Sequence, residues 1–335
     1  MNNKWKPVLI FGEALIDDFP GEQVVGGAPL NVARTLAYFC ANPLMISRIG
    51  SDANADLIVH EMQRFGLQKD GMQIDALHPT GKVEVRQNDA GNKANHHFDI
   101  LPDQAYDYIE SGAALSVRDK LCPDHDAGFI YFGTLAQRME SSRKALYALL
   151  DNTRAMTYLD LNLRAMQVSM STIERSLHAA DILKINEEEL QTLVKIYLRD
   201  TQYATLDVSD SAQSWQSGLS SLMAMFKLRA ILVTLGARGY AYFDRDGEYL
   251  SNGDVQIATE LVDTVGGGDA FSAIFLLGLQ QGWSLSLTLQ RAHQFAAAIC
   301  GVRGAVASDM QFYEQWQARW TAESVEKNTG KGAIA

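Results

Sequence analysis

The chain has 335 residues, of which 47% are hydrophobic and 21% are charged, so it can bury a full core as one large α/β domain or as two smaller domains. Its net charge of −11 argues against a nucleic-acid partner or an anionic membrane surface, although a small buried phosphate site is compatible with it. Three cysteines, Cys40, Cys122 and Cys300, lie far apart and form no CxxC pair, which is typical of free thiols in a reducing cytoplasm. We expect no signal peptide and no membrane span, since no apolar run reaches roughly 18 residues, and therefore a cytoplasmic location.

Short β-type runs alternate with helical patterns along most of the chain. Strands are predicted at 8–11, 44–49, 129–132, 156–161, 182–185, 230–235 and 256–262. Helices are predicted from Pro29 onward, at 55–65 and at 270–279. Because strands that alternate with helices usually form parallel sheets, we predict an α/β fold in which helices cover both faces of a mostly parallel sheet.

One region breaks this alternation. Residues 81–100 alternate apolar and polar positions, with Val83, Val85 and Phe98 on either side of a polar central turn, and this pattern is typical of a β-hairpin. We expect the hairpin, together with the segment near 14–24, to form a small lid over a ligand site. The alternative is an ordinary hairpin at the edge of a sheet.

Two polar segments carry no clear pattern. Residues 200–218 are predicted to be a surface loop or an insertion between helices. Residues 324–335 are polar and contain glycine, and they are predicted to be a flexible tail. The remaining residues, 1–323, are therefore expected to form a single domain that includes the lid.

The segment 263–270 has the sequence DTVGGGDA and stands directly before a run of apolar residues. A glycine loop that opens a helix presents backbone N–H groups and the positive end of the helix dipole, which together favour an anion. A carboxylate there, Asp269, is explained if a proton leaves a nucleophile while negative charge builds beside it, as in phosphoryl transfer to an alcohol. The alternative is that Asp269 is only the N-cap of the helix.

Polar residues and glycines recur directly after several predicted strands. They are Glu13, Asp17, Asp160, Asn162, Arg164, Asn186, Glu189, Thr234, Gly236 and Gly239. Ligands of open α/β sheets bind beyond the carboxyl ends of the strands, so these residues are expected to share one site. A single residue of this kind would more often be a helix cap, but the repeated pattern favours a site.

Two segments carry a family resemblance. They are GGAPLNVA at 26–33, which leads into IGSD at 49–52, and DTVGGGDAF at 263–271. Both resemble signatures of the ribokinase-like, or PfkB, family of ATP-dependent sugar kinases, and the likeness runs from about Val8 to Ser308. The fructokinase branch is the most similar. The resemblance implies a three-layer ribokinase-like fold with a small inserted β lid.

The resemblance also implies catalytic roles. Asp269 matches the family's catalytic base, and the backbone N–H groups of Gly266, Gly267 and Gly268 match its anion hole. Arg164, in the segment DLNLR, matches an arginine that reaches the substrate or the phosphate, although it could also be a solvated loop residue. The proline that usually follows this segment is absent here, which leaves the choice of sugar open.

Four positions match residues that contact the sugar in the family. They are Asp17, Gly26, Gly27 and Asn31. A glycine backbone lets a polyol approach closely, and aspartate and asparagine side chains can each bind hydroxyl groups. As alternatives, Asp17 could be a turn residue and Asn31 a residue on a helix surface.

A second group of positions matches the nucleotide side of the family's site. Asn186 and Glu189 match an Asn-x-x-Glu motif whose glutamate helps to place Mg²⁺ through water. Thr234, Gly236 and Gly239 match the loop that contacts ATP. As alternatives, the first motif could be the acidic first turn of a helix and the second a turn between two strands.

The resemblance implies Mg²⁺ with ATP as cofactor, and K⁺ near the anion hole, where Asp263 and Ser308 match cation-binding positions. An ordinary connecting turn is the alternative for the Ser308 segment. The expected partners are a small-molecule sugar and ATP, with no nucleic acid and no membrane. Lid hairpins of some family members pair, so Val83, Val85 and Phe98 are expected to allow a homodimer through the lid.

The predicted function is ATP-dependent phosphorylation of a sugar hydroxyl, with fructose converted to fructose 6-phosphate. Other kinases of the same family are the alternative, namely a 2-keto-3-deoxygluconate, ribose or nucleoside kinase. A non-catalytic sugar-sensing protein on the same fold is a further alternative. It is disfavoured because Asp269 and the glycine loop are intact.

Overall fold

The computed structural model describes residues 5–87, 96–164, 166–199, 212–252 and 261–329. The strands are β1 (Val8–Phe11), β2 (Leu15–Phe19), β3 (Glu22–Gly26), β4 (Pro43–Ile49), β5 (Met72–Ile74), β6 (Gly81–Gln87), β7 (His96–Ile100), β8 (Asp126–Phe132), β9 (Arg154–Asp160), β10 (Ile182–Asn186), β11 (Ala230–Thr234), β12 (Tyr240–Asp244) and β13 (Tyr249–Asn252). The α-helices are α1 (Ala28–Tyr38), α2 (Ala53–Arg64), α3 (Ser111–Leu121), α4 (Glu140–Asn152), α5 (Met170–His178), α6 (Glu187–Tyr197), α7 (Gln216–Phe226), α8 (Gly267–Gln281), α9 (Leu285–Ile299) and α10 (Met310–Thr329).

The main sheet has the strand order β13-β12-β11-β10-β9-β8-β1-β4-β5 and is parallel from β11 to β5, with β12 and β13 antiparallel at one edge. Its strands are apolar on both faces: Val8 and Ile10 point into one core, and Leu9 and Phe11 into the other. Helices α1, α2, α8, α9 and α10 line the first core and α3 to α7 the second. The predicted α/β fold, a mostly parallel sheet between two helix layers, is confirmed.

The structure corrects two of the sequence predictions in the C-terminal half of the chain. Residues 200–211 lie outside the described residues, but 212–218 are helical rather than a loop, because the buried Trp215 anchors a 3-10 turn that leads into α7. Residues 253–260 also lie outside the described residues. Leu261 and Val262, which were predicted to end a strand, are exposed and belong to no strand.

The C-terminal helix is longer than the sequence indicated. α10 continues to Thr329, so the first residues of the predicted tail, 324–329, are helical. The buried Trp320 and the ion pair between Arg291 and Glu323, at 2.8 Å, fix the helix directly before this end. No described helix, α10 included, has both the length and the apolar character that crossing a membrane requires.

A smaller mixed sheet has the order β3-β2-β6-β7, so the segment near 14–24 and the predicted hairpin share one sheet. The central turn of the hairpin lies outside the described residues. Val83 and Val85 are only 4% and 3% exposed because they pack against Leu15 within the same chain. Val83 and Val85 therefore present no exposed apolar face, and the side chain of Phe98 lies outside the described ones, so a homodimer through the lid stays a prediction.

Candidate active site

The glycine loop begins α8 as the sequence indicated, but without a side-chain cap. Gly266 is the N-cap, with φ at +81°, and a Cβ atom there would collide with the backbone of Ala305. Asp269 stands three residues inside the helix, so the alternative that it is only the N-cap is wrong. The predicted anion hole needs one correction, because the Gly267 amide already donates to the Thr264 carbonyl over 3.4 Å. The amides of Gly268 and Asp269 belong to the first turn, where no helical carbonyl can accept them, and this leaves them available to an anion.

Asp269 is held by a hydrogen bond from a distant part of the chain. Nδ2 of Asn31, in the first turn of α1, donates to Oδ2 of Asp269 over 2.8 Å. The Asn31 amide is oriented in turn by Arg34, which donates to its Oδ1 over 2.6 Å and pairs with Glu61 at 3.2 Å. Asn31 is only 5% exposed, so it is not a residue of the helix surface.

The surroundings of Asp269 raise the pKa of its carboxyl group. Protein surrounds the carboxyl group, although the residue as a whole is partly accessible, and this burial raises its pKa. The charge of Asp160 raises the pKa further, whereas the Asn31 hydrogen bond and the charges of Lys184 and Arg164 lower it. A raised pKa makes this carboxylate a stronger base.

Asp17 lies on β2, in a register position opposite β3, and its side chain occupies the space beside Gly26. A Cβ atom at Gly26 would collide with Oδ2 of Asp17, which explains the glycine. Burial raises the pKa of Asp17 to about 6, and the charge of Arg164 opposes that change. Asp17 is thus a partly buried carboxyl group beside a bare backbone rather than a turn residue.

Glu13 follows β1 directly and is only 4% exposed. Its Oε2 atom has no hydrogen-bond partner among the described residues. Burial raises the pKa of Glu13 to about 7, while a hydrogen bond from its own backbone amide and the charge of Arg164 act in the opposite direction. Glu13 lines a small cavity together with Tyr131, Thr134 and Asn162.

We call Glu13, Asp17, Asn31, Arg164 and Asp269 the Asp269 cluster. The structure brings these residues together around one positive charge. The guanidinium of Arg164 lowers the pKa of all three carboxyl groups of the cluster, those of Glu13, Asp17 and Asp269. Arg164 itself is exposed in the loop after β9. Glu13 and Arg164 follow β1 and β9, and Asp269 lies at the start of α8, where the sequence pattern placed them. Asp17 comes from β2 of the smaller sheet and Asn31 from α1.

Asn186 and Glu189 cap α6 by bonding to one another. Oδ1 of Asn186 accepts from the Glu189 amide and Oε2 of Glu189 accepts from the Asn186 amide, each over 2.9 Å. Oε1 of Glu189 also accepts from the amide of Leu163 over 2.7 Å, which fastens the loop that carries Arg164. The acidic first turn proposed as the alternative is therefore present, as a capping box.

Thr234, Gly236 and Gly239 form the connection between β11 and β12. Thr234 stands opposite Asn186 in the β10–β11 register, and the Leu235 amide donates to the Gly239 carbonyl over 2.9 Å. They do form a turn between two strands, as the alternative proposed, and that turn opens beside the α6 cap. We call Asn186, Glu189, Thr234, Gly236 and Gly239 the Glu189 cluster.

Asp263 is tied to two neighbouring backbone segments. Its Oδ1 accepts from the Val265 amide over 3.0 Å and its Oδ2 from the Gly304 amide over 3.3 Å. The carbonyl of Ser308 accepts from the guanidinium of Arg64 over 2.6 Å. A guanidinium at that carbonyl repels a second cation, so Ser308 does not fit a K⁺ ligand as it stands, whereas Asp263 lies beside the glycine loop with oxygen donors.

Sequence reasoning missed one member of the site. Lys184 is only 7% exposed, and its ammonium group bonds both oxygens of Asp160, at 3.0 and 2.9 Å. The signal was present as a lysine within an otherwise apolar strand, at a position that faces α8. Among the described residues no group of three metal-binding side chains occurs, so any divalent ion here would depend on phosphate and water for most of its ligands.

Together these features define a class of protein: a ribokinase-like α/β fold with a carboxylate set into the amide groups of a glycine-started helix. Comparison of the chain with known protein families leads to the same class. The family model for pfkB family carbohydrate kinases matches residues 11–311, and the chain belongs to that family.

Curated relatives and solved structures point in the same direction. A fructokinase of Salmonella typhimurium is 25% identical over 90% of this chain and 93% of its own length, and one of Klebsiella pneumoniae is 29% identical over 83% and 85%. The fold resembles that of a Vibrio cholerae O395 fructokinase in a fructose-, ADP- and potassium-bound form, with a TM-score of 0.73, 22% identity and coverage of 94% of this chain and 99% of that one.

Proposed function

We propose that this sugar kinase transfers the γ-phosphate of ATP to a hydroxyl group of a neutral sugar, and that fructose, converted to fructose 6-phosphate, is its substrate. The observation that carries the proposal is Asp269, which stands among the amide groups of a helix start and is held by Asn31 at 2.8 Å. Asp269 accepts the proton of the attacking hydroxyl group. The amides of Gly268 and Asp269 stabilise the charge on the transferred phosphoryl group.

The charges of the Asp269 cluster favour a neutral sugar over a sugar acid. Within the described part of the chain, Glu13, Asp17 and Asp269 are carboxyl groups without a cation bonded to them, and Arg164 is their shared counter-charge. The other basic side chains nearby are already paired, as Arg34 with Glu61, Arg138 with Asp107, and Lys184 with Asp160. The carboxylate of 2-keto-3-deoxygluconate would meet the carboxyl groups of Asp17 and Asp269 here, with Arg164 as their shared counter-charge, which disfavours that alternative.

The Glu189 cluster is proposed to bind ATP. Glu189 fits a magnesium role through water, because both of its oxygens already accept backbone amides and retain only one lone pair each. Bound Mg²⁺ would neutralise charge on the phosphates of ATP. The similar Vibrio cholerae fructokinase, which binds fructose, ADP and a potassium ion, supports this arrangement of ligands. Its potassium ion makes Asp263 the residue of this chain to test for K⁺.

The test is the variant Asp269→Asn, which keeps the shape of the side chain and the contact with Asn31 but removes the base. We expect kcat for ATP-dependent phosphorylation of fructose to fall by at least about 100-fold, with an unchanged unfolding midpoint. The matched control is Asp246→Asn, which changes an exposed aspartate in the turn between β12 and β13. Retention of most turnover by Asp269→Asn would refute the mechanism. A preference for ribose or a sugar acid in a substrate panel would refute the sugar.

A further inference from the structure

A buried polar network lies directly beneath the glycine loop, and the proposed mechanism does not use it. Lys184 and Asp160 face one another across β10 and β9, and the Lys184 ammonium group bonds both Asp160 oxygens. Asp160 also accepts from the hydroxyl groups of Ser272, at 3.0 Å, and Tyr131, at 3.2 Å. Ser272 belongs to α8, one turn after Asp269, so this network joins the sheet to the helix that carries the base.

The ammonium group of Lys184 reaches the loop itself. A Cβ atom at Gly268 would lie 2.8 Å from Nζ of Lys184, so the positive charge stands against the backbone of the anion site. Lys184 is 7% exposed and Asp160 is 2% exposed. Burying such a pair costs about as much as its attraction returns, and an apolar pair of the same size would serve stability equally well. Stability alone therefore does not account for these two charges.

The two charges act on Asp269 in opposite directions. The negative charge of Asp160 raises the pKa of Asp269 and the positive charge of Lys184 lowers it. The groups that face Asp269 from the elements packed around it are Asp160, Lys184, Arg164, Glu13, Asp17, Tyr131 and Asn31. Of these, Lys184 and Asp160 are bonded to one another, so removal of either one exposes the full charge of the other.

We propose that Lys184 and Asp160 are a pair of positioning residues: Lys184 places a positive charge beneath the Gly268 amide, and Asp160 fastens that charge to α8 through Ser272. The pair thereby orients the anion hole and balances the charge around the base. This inference rests on the proposed function. It adds a role for two residues to which the proposed mechanism gives none.

The experiment compares pH profiles of kcat for fructose phosphorylation in the variants Lys184→Met and Asp160→Asn. Loss of the positive charge makes Asp269 hold its proton more tightly, so the acidic limb of Lys184→Met moves to higher pH, by about one unit. Loss of the negative charge moves the limb of Asp160→Asn to lower pH by a similar amount. The double variant removes both charges and returns the limb close to that of the unmodified protein.

The matched control is Arg229→Met. Arg229 pairs with Asp181 at 2.9 Å directly before β11 and β10 begin, so this variant breaks an ion pair without touching the loop, and the acidic limb of its pH profile is expected not to move. If Lys184→Met does not fold, the contrast between Asp160→Asn and the double variant decides the matter, since only the former keeps the Lys184 charge. Chemical denaturation of each variant separates folding from chemistry.

Opposite shifts in the two single variants support the proposal. Shifts in the same direction, or unmoved limbs in folded variants with reduced kcat, would overturn it and leave the pair a purely structural contact. Failure of this inference can be told apart from failure of the proposed function. Full activity of Asp269→Asn would show that Asp269 is not the base, and it would refute the proposed function. If Asp269→Asn is inactive but the acidic limbs of the Lys184→Met and Asp160→Asn pH profiles do not move, only this inference is refuted.

Discussion

The two halves of the site are built in different ways. In the Asp269 cluster, side chains from distant segments bond to one another, as Asn31 does to Asp269 across 238 positions of sequence. In the Glu189 cluster the bonds that cap α6 are local, since Asn186 and Glu189 are three positions apart. The first half therefore depends on how α1, α8 and the sheet pack together. The second depends on the capping of one helix, α6. Substitutions that disrupt the Asp269 cluster should therefore leave the Glu189 cluster intact.

The largest expected effect comes from breaking the first half at its glycine loop. Gly266→Ala places a methyl group against Ala305 and forces a left-handed backbone on alanine, so the amides of the helix start shift. We expect kcat to fall on the order of 1000-fold. Gly282→Ala is the matched control, since Gly282 ends the same helix with φ at +70° and nothing within 4 Å of an added Cβ.

A shift in the unfolding midpoint of Gly266→Ala equal to that of Gly282→Ala, with kcat retained, would contradict this prediction. Both substitutions force a left-handed backbone on alanine, which costs about 1 kcal/mol, but only Gly266→Ala also brings the new methyl group into collision with Ala305. Urea denaturation and steady-state kinetics of the two variants, measured side by side, separate the two contributions.

The second effect is a pH-dependent stability that belongs to the first half. The pKa of Glu13 is about 7 in the folded protein and near 4.5 in the unfolded chain, so the folded state binds the proton more tightly. The contribution of Glu13 to the free energy of unfolding is complete below pH 4.5 and is lost as the pH rises through about 7. We expect Glu13→Gln to be stabler than the unmodified protein at pH 8, by up to about 3 kcal/mol, and to gain little at pH 4.

Urea denaturation at the two pH values measures this difference. Glu110→Gln is a suitable control, because Glu110 is an exposed glutamate for which no such gain is expected. An equal gain at pH 4 and pH 8 would show that Glu13 is not a protonated, buried carboxyl group near neutral pH.

The third effect concerns Asn31, the asparagine of the Asp269 cluster. Asn31→Ala removes the donor that holds Asp269 and leaves Arg34 without that acceptor, so the base loses its orientation. We expect kcat to fall by about 10-fold, with a smaller change in the KM for ATP. An effect on the KM for ATP alone would mean that Asn31 does not position the base.

The smallest effect is expected in the second half. Asn186→Ala removes one side of the α6 capping box, which costs about 1 kcal/mol of stability. The remaining Glu189 bond to Leu163 still holds the neighbouring loop, so we expect kcat to change less than about 3-fold and the KM for ATP to rise several-fold. A loss of kcat as large as that of Asn31→Ala would erase the contrast between the two halves.

Much of the fold followed from local patterns. Apolar runs and helical spacing predicted the parallel sheet, and the glycine loop predicted the start of α8. The helix at 212–218 was missed because its anchor, Trp215, has no apolar periodicity around it on the N-terminal side. The end of α10 was missed because a polar helix end has the composition of a tail. Val83 and Val85 were expected at the surface because a hairpin pattern does not say which face another segment covers.

The sequence by itself determined the residue types of the site and their places after strands and at a helix start. Those places depend on contacts within a few residues, which a single chain segment displays. Only the tertiary structure decided that Asn31 bonds Asp269, that Lys184 stands beneath Gly268, and that Glu13 keeps an oxygen without a hydrogen-bond partner among the described residues. These facts depend on which side chains meet across the sheet and on how far water is excluded from them. Sequence spacing carries neither quantity.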